Sequence, residues 1–423
     1  MRLHRIVVVM FLFFEMNGAL VVLAQGYFPS PSSPWQTIDF DEAGWCSDSL
    51  EALIEFLDEE DSKAFIVLYD GKIIVEHYFD SFTADSLWYW ASAGKTLTSA
   101  LVGIAESDNG LILQNPTSDY LGTGWTSLTP QQESLITVRN QLTMTTGLDD
   151  AVADDDCTLP SCLSFVADAG TRWAYHNAPY TLLDGVIENV SGLTLNQFFA
   201  QKIGLPCGIS GLYFPSGPYN QTFVSTPRNM AKFGLLLQSQ GNWNGAEIIP
   251  SNYFQSMISP SQTINPAYGY LTWLNGTDYF MIPETQLQFP GMMAPSAPLD
   301  TYAGLGKNGQ VVCAAPSKNV SFIRMGNGNN ELVSVAILEN IWKKMQWFFC
   351  SNDIQESEEN FVVVNNNGSR PVVSFKTTCD VSIFDSMGKK VNAEIEQLPV
   401  GVYFLHCLKG NQRQIIKVLV GEN

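Results

Sequence analysis

A tight hairpin sets the first constraint on this chain. Two β-rich runs, residues 64–69 and 72–78, are joined by Asp70-Gly71, and an Asp-Gly pair between such runs is a strong short-range hairpin signal. Strand-like runs return only late, at residues 311–314, 320–325 and 331–338. Residues 50–57 have helical spacing, a helix is expected from Ser92 through Thr98 and Leu101 to about Ala105, and the middle third as far as Pro227 reads as helix and loop. Strands, then helices, then strands predict an α/β (α+β) domain: an antiparallel sheet assembled from both ends, flanked by helices and carrying a helical subdomain.

Composition bounds what such a domain can bind. Of 423 residues, 45% are hydrophobic and only 15% charged, enough apolar surface for a sizeable core. The net charge of -20, from 42 acidic against 22 basic residues, would repel nucleic acid and anionic lipid. No nucleic-acid partner is expected. Arg2, His4 and Arg5, the apolar run 6–14 and the small-residue pattern 22–24 read as an export signal. A membrane anchor is the rival reading, but Glu15 interrupts the apolar stretch and no second long run follows. No transmembrane segment is therefore expected once the signal is removed.

The expected organisation is a signal peptide over 1–24, a Pro/Ser-rich exposed tether over 25–48, a large domain over 49–350, a polar linker over 351–362 and a small all-β module over 363–423. That last module has the size and the strand-turn alternation of an Ig-like β-sandwich. Eight cysteines in an exported chain permit disulfides. Cys157 and Cys162 flank a short proline-containing loop, and Cys379 and Cys407 could pair within the C-terminal module. Zinc is the alternative for the first pair, but the 4 histidines form no cluster with ligand spacing. Neither a metal nor a cofactor is expected.

Ser92-Ala93-Gly94-Lys95 puts a hydroxyl and an amine three residues apart, on one face of a helix. A desolvated lysine loses basicity, and its neutral form can take a serine proton. The same four residues also fit an N-cap serine followed by a surface lysine. A Ser-His-Asp arrangement finds little support. His4 falls in the signal, His77 in a strand run and His406 in the small module, and no Gly-x-Ser-x-Gly elbow accompanies His176.

Two further segments complete a pattern: Tyr175-x-Asn177, and Lys307-Asn308-Gly309 entering a β run. In order and separation, Ser92-x-x-Lys95, Tyr175-x-Asn177 and Lys307-x-Gly309 resemble the three motifs of the penicillin-recognising serine hydrolases. The nearest branch is that of class C β-lactamases, D-alanyl-D-alanine peptidases and related esterases. Residues 136–148 resemble that family's Thr-Ser-Gly-Leu stretch, and residues 225–234 its later helix. The resemblance spans roughly residues 65–338 and implies a β-lactamase/transpeptidase-like fold.

The resemblance also implies roles. Ser92 would form an acyl-enzyme, with Lys95 and Tyr175 acting together in proton transfer and Tyr175 phenolate-like. Lys307 would supply positive field, while Asn177, Asn308 and Gly309 would contact or make room for substrate. The N–H groups of Ser92 and Gln310 would form the oxyanion hole. Asn308 departs from the Lys-Thr-Gly of the β-lactamases, which puts efficient β-lactam hydrolysis in doubt and leaves ester, amide or D-amino-acid peptide substrates. The rival function is a non-catalytic penicillin-binding-like surface protein that holds peptidoglycan or peptides. Asp154-Asp155-Asp156 reads as a solvated acidic loop rather than a calcium site, since no EF-hand spacing surrounds it. Residues 381–391 and 398–404, with a basic-apolar final strand, resemble a type IX secretion C-terminal sorting domain. That likeness implies a secretion-machinery partner and a secreted or cell-surface location.

Overall fold

The computed structural model describes residues 26–30, 33–328, 335–349, 362–365, 372–375, 380–385, 389–391, 397–399, 401–409 and 412–420. The expected signal peptide lies outside them. Among the described residues no helix is long and apolar enough to cross a membrane. The chain divides into two compact units, Met1–Phe349 and Cys350–Asn423.

The larger unit is built on a six-stranded antiparallel sheet. Its spatial order is Lys72–Tyr78, Ser62–Tyr69, Val320–Gly326, Gln310–Ala315, Tyr302–Gly306 and Trp273–Leu274. The sheet is therefore assembled from both ends of the domain, as the order of elements predicts. Asp70 and Gly71 turn the first hairpin with φ of 50° and 81°, the left-handed pair that matches strand twist. The strands Gln310–Ala315 and Val320–Gly326 are buried along their whole length. That burial on both faces requires helices on each side. The Pro227–Gln238 helix covers one face, where Gly234 meets Ser321 and Val312. The neighbouring Phe322 points the opposite way, onto Trp342 of the Val335–Met345 helix.

That last helix corrects the sequence expectation of a strand over 331–338. Residues 331–334 lie outside the described set, and the helix begins at Val335. Ile337, Leu338, Ile341, Trp342 and Met345 are its buried residues, a stripe of period 3.6. A run read only to Leu338 is too short to reveal that period.

A second correction concerns the exposed tether expected over 25–48, of which residues 26–30 and 33–48 are described. They are docked on the large unit. Ile73 exchanges backbone hydrogen bonds with Gln36 and Ile38, Trp35 donates its indole N–H to the Gly71 carbonyl at 2.8 Å, and Phe28 packs on Trp243. Phe40 and Trp45 pack against Phe348. Aromatic side chains among the prolines and serines supply apolar area that a solvated tether would leave exposed.

The Gly94–Asn109 helix runs through the middle of the unit, and every residue from Gly94 to Ala105 is buried. A helix buried all round must satisfy its own polar side chains. Thr96 donates to the Leu271 carbonyl, Thr98 bonds Tyr180 and Tyr213, and Ser99 bonds Tyr253. These bonds fix the helix, and with it the residues just before it. A small three-stranded sheet of Trp88–Tyr89, Asn220–Ser225 and Gly211–Ser216 forms the neighbouring wall.

The C-terminal unit is all-β where it is described. Val362–Asn365 pairs with Val372–Phe375, and a four-stranded antiparallel sheet runs Lys390–Val391, Asp380–Asp385, Gly401–Lys409, Gln412–Val420. The expected Cys379–Cys407 pairing cannot be followed, because Cys379 lies outside the described residues.

Candidate active site

Ser92 does not begin the long helix. It sits in a short 3₁₀ turn, Ala91–Ala93, and the α-helix starts at Gly94 and continues to Asn109. The turn is held from outside. Trp90 is fully buried, its backbone N–H bonds the Phe223 carbonyl at 2.8 Å, and its indole donates to Ser225 Oγ at 2.9 Å. Ala91 is left at φ 45°, a left-handed conformation that costs a non-glycine residue about 1–2 kcal/mol. Strain immediately before Ser92 is tolerated because Trp90 and the buried helix over-determine the backbone on either side.

Lys95, one turn on, is 3% exposed. Its ammonium donates to Ser92 Oγ at 2.9 Å and to Asn177 Oδ1 at 2.7 Å. It also lies 4.4 Å from the Tyr180 ring centroid and 4.9 Å from that of Tyr175. Burial lowers the Lys95 pKa to about 7, against the opposing pull of Asp156 and Asp155. An N-cap serine beside a surface lysine is not what the fold contains.

Tyr175 stacks on Trp273 and meets Tyr268 edge-on. Burial among these rings raises its hydroxyl pKa, the Ser92 hydroxyl pulls it down, and Asp155 pushes it further up. These shifts run against the expected phenolate-like Tyr175. Burial favours the protonated phenol and brings Lys95 towards neutrality. His176, the sole histidine placed near the site by sequence, is 2% exposed and burial lowers its pKa to about 4. Neither ring nitrogen has a hydrogen-bond partner, and it is absent from the cleft wall.

Ser92, Lys95, Tyr175, Asn177 and Lys307 all line one cleft of about 650 Å³. The rest of the expected Lys307 segment behaves differently. Lys307–Gly309 is the turn between strands Tyr302–Gly306 and Gln310–Ala315. Asn308, at φ 62°, donates its side-chain amide to the Tyr89 hydroxyl at 2.8 Å, so it supports a cleft residue rather than facing substrate. A Cβ on Gly309 would fall 1.7 Å from Arg324 Nη1. The space there belongs to Arg324, which donates to the Gly309 carbonyl at 2.8 Å.

Gln310, expected to complete the oxyanion hole, is fully buried, and its side chain bonds both the N–H and the carbonyl of Gly326. It pairs across the hairpin with Gly306. Gly306 is the residue beside the nucleophile: a Cβ there would lie 3.0 Å from the Ser92 nitrogen and 2.7 Å from the Trp90 carbonyl oxygen. The backbone entering Lys307 thus approaches the Ser92 amide, and Gln310 is its cross-strand partner.

Tyr180 and two aspartates of the acidic triplet also belong to the cleft, and no sequence motif marks them. Asp155 and Asp156 line the cleft, where they accept hydrogen bonds from Asn177 Nδ2 and Asn220 Nδ2, both at 2.9 Å. Burial and the like charge of Asp156 raise the Asp155 pKa, opposed by Lys95. The adjacent Cys157 is buried and bonded to Cys162 in a disulfide. That bond, two residues from Asp155, is the one sequence signal that this loop is fixed. Cys46 is also disulfide-bonded, which no reading of the cysteine spacing anticipated. The cleft wall also carries Asp150, salt-bridged to Arg172 at 2.7 Å, and Glu284.

Comparison with known proteins places this geometry in context. The family model described as Beta-lactamase matches residues 50–340. No curated protein matches the chain. Among solved structures, a family VIII carboxylesterase is 15% identical, with a TM-score of 0.54 over 74% of this chain and 98% of its own. EstCE1, a hydrolase with promiscuous acyltransferase activity, is 14% identical, with a TM-score of 0.52 over 71% and 98%. A penicillin binding protein from Bacillus halodurans is 16% identical, with a TM-score of 0.52 over 69% and 99%. At these identities the likeness is one of fold.

Proposed function

This chain belongs to the beta-lactamase family of serine hydrolases, and on that premise we propose that it hydrolyses an ester or amide through an acyl-enzyme on Ser92. The observation that carries the proposal is the Lys95 amine, 2.9 Å from Ser92 Oγ and with its pKa lowered to about 7 by burial. A lysine so placed is half neutral at physiological pH and can act as a base.

Neutral Lys95 takes the Ser92 proton as Oγ bonds to the substrate carbonyl carbon, and the carbonyl electron pair moves onto oxygen. The Ser92 N–H supports that oxyanion, with the backbone N–H of Gln310 as its second donor. Collapse restores the carbonyl and breaks the bond to the leaving group, which takes a proton from the Lys95–Tyr175 pair. Tyr175 serves as a proton donor here, consistent with its raised pKa. Water then attacks the acyl carbon and gives one proton to the same pair, the bond from that carbon to Oγ breaks, and the pair returns the proton to Oγ, releasing the acid and free Ser92.

The cleft wall bears on the substrate. Asp150, Asp155, Asp156 and Glu284 face it against Lys95 and Lys307, and Asn308 is committed to Tyr89. This balance favours neutral or cationic esters and amides, including peptides without a free C-terminal carboxylate, over the anionic β-lactams. Rates for a p-nitrophenyl ester, nitrocefin and a D-Ala-D-Ala peptide, each against Ser92→Ala, test the reading. Turnover of the neutral ester above nitrocefin, lost in the variant, is expected. Equal rates in wild type and variant would remove Ser92 from the mechanism and favour a binding role. We propose further that the protein is exported, with residues 1–24 as signal and the C-terminal unit as sorting domain. Retention of a chain truncated after residue 349 inside the cell would support this.

A further inference from the structure

Asp155, Asn177, Lys95 and Ser92 form one unbroken line of hydrogen bonds. Asn177 Nδ2 donates to Asp155 Oδ2 at 2.9 Å, Lys95 Nζ donates to Asn177 Oδ1 at 2.7 Å, and Lys95 Nζ donates to Ser92 Oγ at 2.9 Å. A side-chain amide has a donor end and an acceptor end that are nearly the same shape, so its orientation depends on its neighbours. An ionised carboxylate only accepts and an ammonium only donates. With Asp155 on one side and Lys95 on the other, a single orientation of Asn177 is compatible with both.

We propose that Asp155 is a positioning residue for acyl transfer, holding the Asn177 amide so that its oxygen faces Lys95 and directs the lysine nitrogen at Ser92. This rests on the acyl-enzyme reading above and assigns a role that the three sequence motifs do not contain. Once Lys95 is neutral it has a single lone pair. The N–H taken by Asn177 Oδ1 fixes how the amine is turned, leaving that lone pair for the Ser92 proton. Asp155 is itself anchored, because its backbone carbonyl accepts the Ala178 N–H at 2.8 Å and the Cys157–Cys162 disulfide follows two residues later. The loop and the start of the Asn177–Thr181 helix are thus tied by a side-chain bond and a backbone bond side by side.

The titratable groups around Lys95 come from several elements. Asp155 and Asp156 belong to the acidic loop, Tyr175 and Tyr180 flank Asn177, and Asp150, Glu284 and Lys307 line the same cleft. Asp156 bonds Asn220 instead. Asp155 therefore combines negative charge near Lys95 with contact to Asn177.

The test compares Asp155→Ala, Asp155→Asn, Asn177→Ala and the double variant D155A/N177A in the full chain, with a p-nitrophenyl ester. D155A should lower kcat about tenfold with KM within about twofold, since an unheld amide misplaces the base without touching substrate binding. D155N keeps an oxygen for the Asn177 N–H and should recover most of kcat. Its acidic limb should move to lower pH, because a negative charge that favours the protonated Lys95 is gone. In the N177A background, D155A should still shift the acidic limb but add no further loss of kcat on the alkaline plateau, where Asp155 acts only through Asn177. Additive losses in the double variant, or a D155N enzyme as slow as D155A at its own optimum, would overturn the assignment. Absence of Ser92-dependent turnover in wild type would strike the acyl-enzyme reading instead. A crystal structure of D155A then decides: an Asn177 amide still bonded to Lys95 in the original orientation would overturn the positioning role.

Discussion

Lys95 Nζ lies 2.9 Å from Ser92 Oγ, with its other hydrogen bond to Asn177 and two tyrosine rings around it. Burial there lowers the lysine pKa to about 7. As a base, Lys95 works only when neutral, so it is disabled below that pKa and active above it. The rate should therefore climb through about pH 7 and level off above it, in a kcat/KM profile with a neutral ester. Lys95→Arg cannot lose its proton and should drop kcat by about 10²–10⁴-fold across the whole range.

Asp184 offers a prediction about stability. It is 8% exposed, and burial raises its pKa to about 8, with Glu188 adding to the shift and Gln221 opposing it. A carboxyl with a folded pKa above its unfolded one binds a proton in the folded state between the two values. Stability is then lost as pH rises from about 4 to about 8. Asp184→Asn removes that ionisation and keeps an oxygen for the Gln221 amide. It should stabilise the protein by on the order of 2–4 kcal/mol at pH 8 and by little at pH 4. Melting temperatures at the two pH values measure the difference.

The Cys157–Cys162 disulfide closes a short loop next to Asp155 and Asp156. A Cys157→Ser/Cys162→Ser variant should lose about 2 kcal/mol of stability from the freed unfolded chain. If the loop matters to the site, kcat should fall too, and mild reduction of wild type should lower activity in parallel with loss of the bond. Thiol titration alongside ester turnover checks this.

Asn308 lies at φ 62° and donates to Tyr89. A β-branched residue is poorly accommodated there. Restoring the β-lactamase-like residue with Asn308→Thr should destabilise the fold by about 1–2 kcal/mol and should not raise nitrocefin turnover. Denaturant midpoints and nitrocefin rates together test this.

Much of the fold was legible because it rests on local signals. Asp70-Gly71 announces its hairpin, and strands at both ends of a helical middle announce the sheet. What was lost depended on longer or tertiary patterns. The Val335–Met345 helix shows its period only beyond Leu338, and Phe28, Trp35, Phe40 and Trp45 dock through contacts that no local rule marks. In the site, the spacing of Ser92 and Lys95 and the order of the Tyr175 and Lys307 motifs pointed to one cleft. The surroundings of Asn308 and Gly309 did not follow, because they depend on a turn packed against Arg324, a residue 15 positions from Gly309. Asp155 was hidden for the opposite reason. Three consecutive aspartates have the composition of a solvated loop, and only the fold turns one of them onto Asn177.

The most direct measurement is labelling with a fluorophosphonate probe followed by peptide mass analysis, across pH 5 to 9. The account predicts a single adduct on Ser92, absent in Ser92→Ala and forming faster as pH rises through about 7. An adduct on another residue, or equal labelling of wild type and Ser92→Ala, would contradict it.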